Sequence, residues 1–176
     1  MKLAFTGHTN IEKAYNVEYS PNVYNHFALE NCFKMIQLKI LYFKEKFGEV
    51  QVISGMARGV DEVAALVAIK HNLNLILAIP HSVDWHKNRK DSGKRLQAIY
   101  YNDILNYTKA QVFEVKKNYG EGHIYANFAR NAFMVDLADQ VVSFKAYDST
   151  GTDHCIAYAK KRHKYHSNIK LFDESW

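Results

Sequence analysis

The sequence has 176 residues, 48% hydrophobic and 14% aromatic, enough for a single domain over residues 1–176 with a substantial core and too few for a second of ordinary size. Two cysteines at no zinc-like spacing, no apolar stretch near the ~18 residues of a membrane span and an N-terminal MKLAFTGH too short for a secretion signal argue against a disulfide scaffold, a membrane anchor and export. A soluble, cytoplasmic protein is expected, and the net charge of +5 permits an anionic partner without requiring one, because Glu45, Glu49, Asp61 and Glu62 interrupt any basic stripe.

In chain order, KLAFTG (2–7) predicts a first strand and the polar, aromatic stretch 8–26 a long loop. Helical spacing of Leu29, Phe33, Ile36, Ile40 and Phe43 then predicts a helix over 27–47. VQVISG (50–55) is a second strand, and Val60, Ala64, Val67 and Ala68 predict a helix over 60–71. LNLILAIP (73–80) follows as a third, then a loop over 81–93 and a helix over 94–107. AQVFEVK (110–116), a helix over 123–138, DQVVSFK (139–145), a helix over 151–164 and NIKLFD (168–173) complete the alternation. Runs that are apolar at consecutive positions suit strands buried on both faces, so the predicted fold is a Rossmann-like, three-layer α/β domain with a mainly parallel central sheet flanked by helices.

Ligands of such sheets bind beyond the carboxyl ends of the strands, where GHTN (7–10), SGMARGVD (54–61), the loop after Pro80 and DSTGTD (148–153) would converge. In SGMARGVD, Gly55 frees a tight turn, Gly59 permits a close approach, and the next helix offers unpaired N–H groups to an anion; a plain turn capped by Asp61 is the alternative. DSTGTD repeats the device with Ser149, Thr150, Gly151 and Thr152. Arg130 is a fork donor for phosphate, or a partner of Asp136 or Asp139. Of the nine histidines, His81 and His86 flank Asp84, but no HExxH or Cys/His pattern accompanies them, and no metal is expected.

The motifs FTGH (5–8), SGMARGVD, a Trp-containing segment after IPH (79–81), ARNAFMVDLADQVV (129–142) and STGTDHCIAYAKK (149–161) together resemble the SLOG superfamily, the Rossmann-like group that includes DNA-processing protein A and the Lonely-Guy phosphoribohydrolases. The small YpsA-like branch is the most similar. The resemblance implies a nucleotide site built from Thr6, Gly7, His8, Ser54, Gly55, Met56, Arg58, Gly59, Arg130, Asn131, Ser149, Thr150, Gly151 and Thr152. The phosphoribohydrolase branch resembles PGGxGTxxE, whereas this chain has Ser149 at one of the motif's glycines and Cys155 at the glutamate. Asp61 and Asp153 are the remaining candidate catalytic carboxylates.

The reading is therefore a module that binds a nucleotide or phosphoribosyl ligand as sensor or sequestering protein, with no cofactor. The alternatives are an N-glycosidic hydrolase or transferase, and a single-stranded DNA-binding protein using Lys87, Arg89, Lys94, Arg95 and the basic run 160–164 with Trp85, Tyr100 or Tyr101 as stacking platforms. Nucleic acid is the less favoured partner, no membrane partner is expected, and the 12 tyrosines make a homo-oligomer plausible.

Overall fold

A computed structural model describes residues 1–89, 94–116 and 123–169. The elements are β1 (Lys2–Gly7), α1 (Ile11–Ala14), α2 (His26–Phe47), β2 (Gln51–Ser54), α3 (Val60–Lys70), β3 (Asn74–Pro80), α4 (Val83–Asn88), α5 (Tyr101–Leu105), β4 (Ala110–Val115), α6 (His123–Leu137), β5 (Gln140–Phe144), α7 (Thr150–Lys161) and β6 (Tyr165–Ile169). The six strands form one sheet in the order β4-β3-β2-β1-β5-β6, and every pairing is parallel.

The apolar runs explain which strands lie inside. β1 buries four consecutive residues and β5 all five, because helices cover both faces there. One core joins the sheet to α2, α3 and α5 through Ile36, Ile40, Val63, Val67, Leu75 and Leu77. The other joins it to α6 and α7 through Met134, Val135, Cys155 and Ala159. Successive strands run outward from β1 to β4, and the chain then returns to β5 on the other side of β1. The direction of winding reverses between β1 and β5, which places a ligand crevice at their carboxyl ends.

Three expectations need correction. The helix predicted over 94–107 is only Tyr101–Leu105, because the preceding residues spend their backbone groups on the loop after β2. Arg58 N–H donates to Leu96 O, Ala98 N–H to Met56 O, and Ala57 bridges Gln97. The predicted loops 8–26 and 81–93 contain the short helices α1 and α4, each with a side-chain cap, Asn10 on Lys13 N–H and Ser82 on Trp85 N–H. The last strand is Tyr165–Ile169 rather than 168–173, of which 170–173 lie outside the described residues. Lateral pairing with β5, from Gln140 with Tyr165 to Phe144 with Ile169, fixes this edge strand in a stretch whose side chains are mostly polar.

Candidate functional site

The crevice is floored by the end of β1. A Cβ on Gly7 would come within 2.5 Å of Val60 Cγ2 and 2.6 Å of Phe144 O, so the residue must be small for α3 and β5 to close in. His8 is buried, stacked on the Tyr147 ring at 3.6 Å between centroids, and its Nε2 accepts from Ala146 N–H at 2.7 Å and Tyr147 N–H at 3.1 Å. Burial and the nearby Lys145 hold its pKa down at about 4, so at neutral pH the imidazole is uncharged. With Nε2 accepting twice, the proton resides on Nδ1, which is buried without a partner among the described residues. Lys13 lies over the other part of this stack, 4.5 Å from the Tyr147 centroid, and Tyr147 OH donates to Asn10 O.

The SGMARGVD loop is filled by the chain itself. The Asp61 carboxylate accepts from the backbone N–H groups of Gly55 and Ala57 and from Arg130 Nη1 at 2.9 Å, so the loop already holds an anion. Arg130 also donates to Gly55 O, and a Cβ on Gly55 would fall on its guanidinium. Arg130 thus pairs with Asp61 rather than with Asp136 or Asp139, which are taken by Arg162 and by Lys2 N–H. At the start of α3, Gly59 N–H donates to Tyr24 OH, Val60 N–H to His8 O, and Glu62 N–H to Ala57 O. Ser54 Oγ donates to Asp61 O and accepts from Met56 N–H, and Met56 is buried at φ +56.

Arg58 is equally enclosed. It forms a two-pronged ion pair with Glu12 at 2.6 and 3.0 Å, donates to Thr9 O and Ser20 O, and lies between the rings of Tyr19 and Tyr24. Its role is to fasten the 8–26 segment across the loop rather than to face the crevice. Tyr24 OH donates to Glu62 at 2.5 Å, and the other Glu62 oxygen accepts from Tyr100 N–H, which ties residues 24, 59, 62 and 100 into one buried network.

Burial outweighs Arg130 and the two amides and pushes the Asp61 carboxyl up to about 6. Because the folded-state value lies above that of the unfolded chain, this group's contribution to stability is complete below pH ~4 and is lost as pH rises through ~6. A loss of about 2–3 kcal/mol from this group is expected over that window. Urea titrations at pH 4 and 7 should show a steeper fall for the wild type than for Asp61→Asn; equal slopes would refute the assignment.

The start of α7 is the open counterpart. Its N-cap Ser149 makes no side-chain cap bond to the helix, and a Cβ on Gly151 would meet nothing within 4 Å. Thr150, Gly151 and Thr152 present the first-turn amides of a 12-residue helix, with its positive dipole end. Asn131 Nδ2 donates to Gly151 O at 3.0 Å, which holds the turn against α6. Lys145 stands beside it, paired with Asp153 at 2.6 Å and Asp148 at 3.0 Å. Asp153 also accepts from Ser149 N–H, and Lys145 keeps its carboxyl below the usual range, so it is an ionised cap. A groove of about 400 Å³ continues from Lys145 and Asp153 along Ile156, Ala157 and Lys160 to His166 and Asn168.

Cys155, on α7, has its side chain wholly buried, and burial pushes its thiol up to about 12. Such a thiol is neither an acid nor a base near neutrality. Thr6 is buried beside it and bonds it. The structure therefore brings Gly7, His8, Asn131, Ser149, Thr150, Gly151 and Thr152 to one crevice, while Ser54, Gly55, Met56, Arg58, Gly59, Asp61 and Arg130 form the scaffold behind it. Lys145, Tyr147 and Lys13 were missed by sequence reading, while Asn10 ends the GHTN stretch without being singled out in it. Lys145 and Tyr147 follow the carboxyl end of the strand beside β1, but that neighbourhood is visible only once strand order is known.

A parallel sheet that reverses its winding between β1 and β5, with a glycine-containing helix start on each side of the reversal, defines a Rossmann-like ligand-binding fold. The model of the DNA recombination-mediator protein A family matches residues 39–168, and the chain belongs to that family, within the SLOG superfamily. Among solved structures, it is similar to DNA processing protein A of Streptococcus pneumoniae (TM-score 0.62, 18% identity, 96% of this chain and 50% of that one). It is also similar to the Helicobacter pylori DNA processing protein A, described for its single-stranded DNA binding mode (TM-score 0.60, 15% identity, 96% and 64%). A third is the molybdenum cofactor binding protein of Rippkaea orientalis (TM-score 0.53, 17% identity, 96% and 76%). At these identities the likeness is one of fold, and the chain spans about half the length of the pneumococcal protein. No curated protein matches the sequence. No helix among the described residues is long and apolar enough to cross a membrane.

Proposed function

We propose that the protein binds the phosphate of a nucleotide or phosphoribosyl ligand at the start of α7, as a sensor or sequestering module. The observation that carries this reading is the pairing of an open helix start, with space around Gly151, to a neighbouring loop whose donors are already consumed by Asp61, Tyr24 and His8. Of the two anion-suited turns read from the sequence, this is the one with open space beside its glycine. The buried Nδ1–H of His8 supports the reading, since a donor without a protein partner costs about 1–3 kcal/mol unless something bonds it. Lys145 adds positive charge, moderated by Asp148 and Asp153, so affinity rests on oriented amides more than on net charge.

The decisive variant is Gly151→Asp. It places a carboxylate at the helix start, where a negative charge stabilises the helix by about 0.3–1 kcal/mol, yet opposes a phosphate held about 5 Å away by roughly 3 kcal/mol. In calorimetry against nucleoside monophosphates, dinucleotides, ADP-ribose derivatives and cyclic nucleotides, binding by the wild type and a loss of roughly 100-fold in the variant are expected. A wild type that binds no member of the panel, or a variant that binds as well, removes the reading.

Single-stranded nucleic acid is the second reading. It is favoured by the family and by a cleft of about 310 Å³ that gathers Lys87, Arg95 and Tyr100. In that cleft Tyr100 exposes its ring, while Tyr101 is buried with its hydroxyl against His86. This reading predicts oligonucleotide affinity that falls steeply with salt and is insensitive to Gly151→Asp. Hydrolysis has less support, because Cys155 replaces the glutamate and Asp61 is locked to Arg130.

A further inference from the structure

The groove beside α7 has a polar floor that a phosphate at the start of the helix leaves unused. Ser143, in β5, is fully buried beneath it; its Oγ lies 2.9 Å from His166 Nε2 and donates to Asn168 Oδ1 at 2.7 Å. All three side chains share the α7 face of the sheet, because Ser143 is in register with Asn168 and His166 with Val141, a member of the core under α6 and α7. A hydroxyl has one proton to give. With that proton on Asn168 Oδ1, His166 Nε2 is the nitrogen that donates to Ser143, and Nδ1 keeps the lone pair of a neutral imidazole. Burial and the Lys160 ammonium hold the His166 pKa below its usual value, so the ring is uncharged at neutrality. Neither His166 Nδ1 nor Asn168 Nδ2 has a partner among the described residues, so the floor offers one acceptor and one donor, two positions apart on one strand. Exchanging the two ends of the amide would invert both roles and still leave one of each.

This floor continues the crevice. The groove of about 400 Å³ opens at Lys145 and Asp153, beside the start of α7, and Ile156 and Ala157 form its apolar wall. Asn168 is level with Ser143, two residues and so about 7 Å along the sheet from Lys145. Resting on the reading that a phosphate is held at the start of α7, we propose that this groove takes the nucleobase of the same ligand, its edge bonded to Asn168 and His166 and its face against Ile156 and Ala157. A nucleobase presents a donor and an acceptor on neighbouring atoms of a flat ring, which is what a paired acceptor and donor beside an apolar wall can bind. In adenine the 6-amino group donates to His166 Nδ1, and the ring nitrogen next to it accepts from Asn168 Nδ2. Ser143 is the positioning residue: bonded to both side chains from below, it fixes their rotamers before the ligand arrives.

Calorimetry of the full chain with ribose 5-phosphate, adenosine 5′-monophosphate and guanosine 5′-monophosphate tests the site, at pH 8 so that His166 stays neutral. The wild type is expected to bind at least one of the nucleotides about tenfold or more tighter than ribose 5-phosphate. Asn168→Leu should bring that ratio close to one, and the fold survives the change because Ser143 can turn its proton to His166 Nε2 and remain paired. Ala157→Trp, which fills the groove from an exposed position on α7, should do the same. Asn168→Asp sets two acceptors side by side and should shift preference by about tenfold toward guanine, whose ring N–H and 2-amino group are neighbouring donors. A wild type that binds ribose 5-phosphate as tightly as both nucleotides, or a ratio that neither Asn168→Leu nor Ala157→Trp lowers, overturns the base site and leaves the phosphate reading standing. Binding of no probe at all overturns both.

Discussion

Glu12→Ala is expected to lower stability by about 3–5 kcal/mol, a fall in melting temperature of roughly 10 °C for a chain of this length. Glu12 and Arg58 are both fully enclosed, with side chains at 0% exposure, and the carboxylate takes two of the guanidinium's bonds. Removing the acid leaves a buried cation facing Tyr19, Tyr24 and two carbonyls, which offer polarisable contact without compensating charge. Arg58→Met should cost less than Glu12→Ala, because methionine fills the space between the tyrosines but strands Glu12. Combining Glu12→Leu with Arg58→Met tests whether charge or volume dominates: if the pair is a fastener, the two losses are far from additive and the double variant recovers much of the stability. Urea unfolding of the wild type, the single variants and the double variant checks this, and strictly additive losses would show that the two side chains act separately. The consequence for function is that the 8–26 segment is held in place by an internal ion pair, so Arg58 is not a free anchor for a ligand.

The second large effect is Gly59→Ala. Gly59 has φ +84, and a Cβ there would fall on His8 O and within 2.9 Å of Thr9 Cα, both backbone atoms that cannot step aside without shifting the end of β1. A positive φ and a backbone collision together predict a loss of about 3 kcal/mol or more, with the crevice deformed because His8 O also receives Val60 N–H. Gly151→Ala is the control from the other helix start. With nothing near the added methyl and a helical first-turn position, it should be neutral or stabilising by about 0.5 kcal/mol. Ligand affinity should divide the two differently: Gly59→Ala weakens it through the distorted His8, whereas Gly151→Ala leaves it near the wild-type value. Thermal melts with and without the tightest nucleotide of the panel give both readings, and equal stability losses for the two glycines would contradict the packing described.

Much of the fold was legible because its signals are local. Five of the six strands lie where apolar runs place them: β1, β2, β3 and β5 are buried on both faces and so apolar at consecutive positions, whereas the edge strand β4 is largely exposed and is marked only by its Val and Phe residues. The sixth was displaced because Tyr165–Asn168 are half-wet residues paired by backbone rather than by apolarity. The false helix over 94–100 arose because apolar spacing there resembles a helix, while the actual backbone partners, Met56, Arg58 and Glu62, are some forty residues away in the sequence.

The site divides along the same line. By itself the sequence determined the α/β alternation, the family motifs and the two glycine-containing helix starts, because turns and helix caps are set by a few adjacent residues. It could not determine which start is open. That was decided by tertiary structure: Asp61, Glu12 and Tyr24 accept from donors of the first loop and Arg130 donates to Gly55 O and fills the space beside it, whereas no described side chain closes over Gly151. Similar local chemistry is enclosed in one place and left uncovered at Gly151 in the other by what the rest of the chain packs against it.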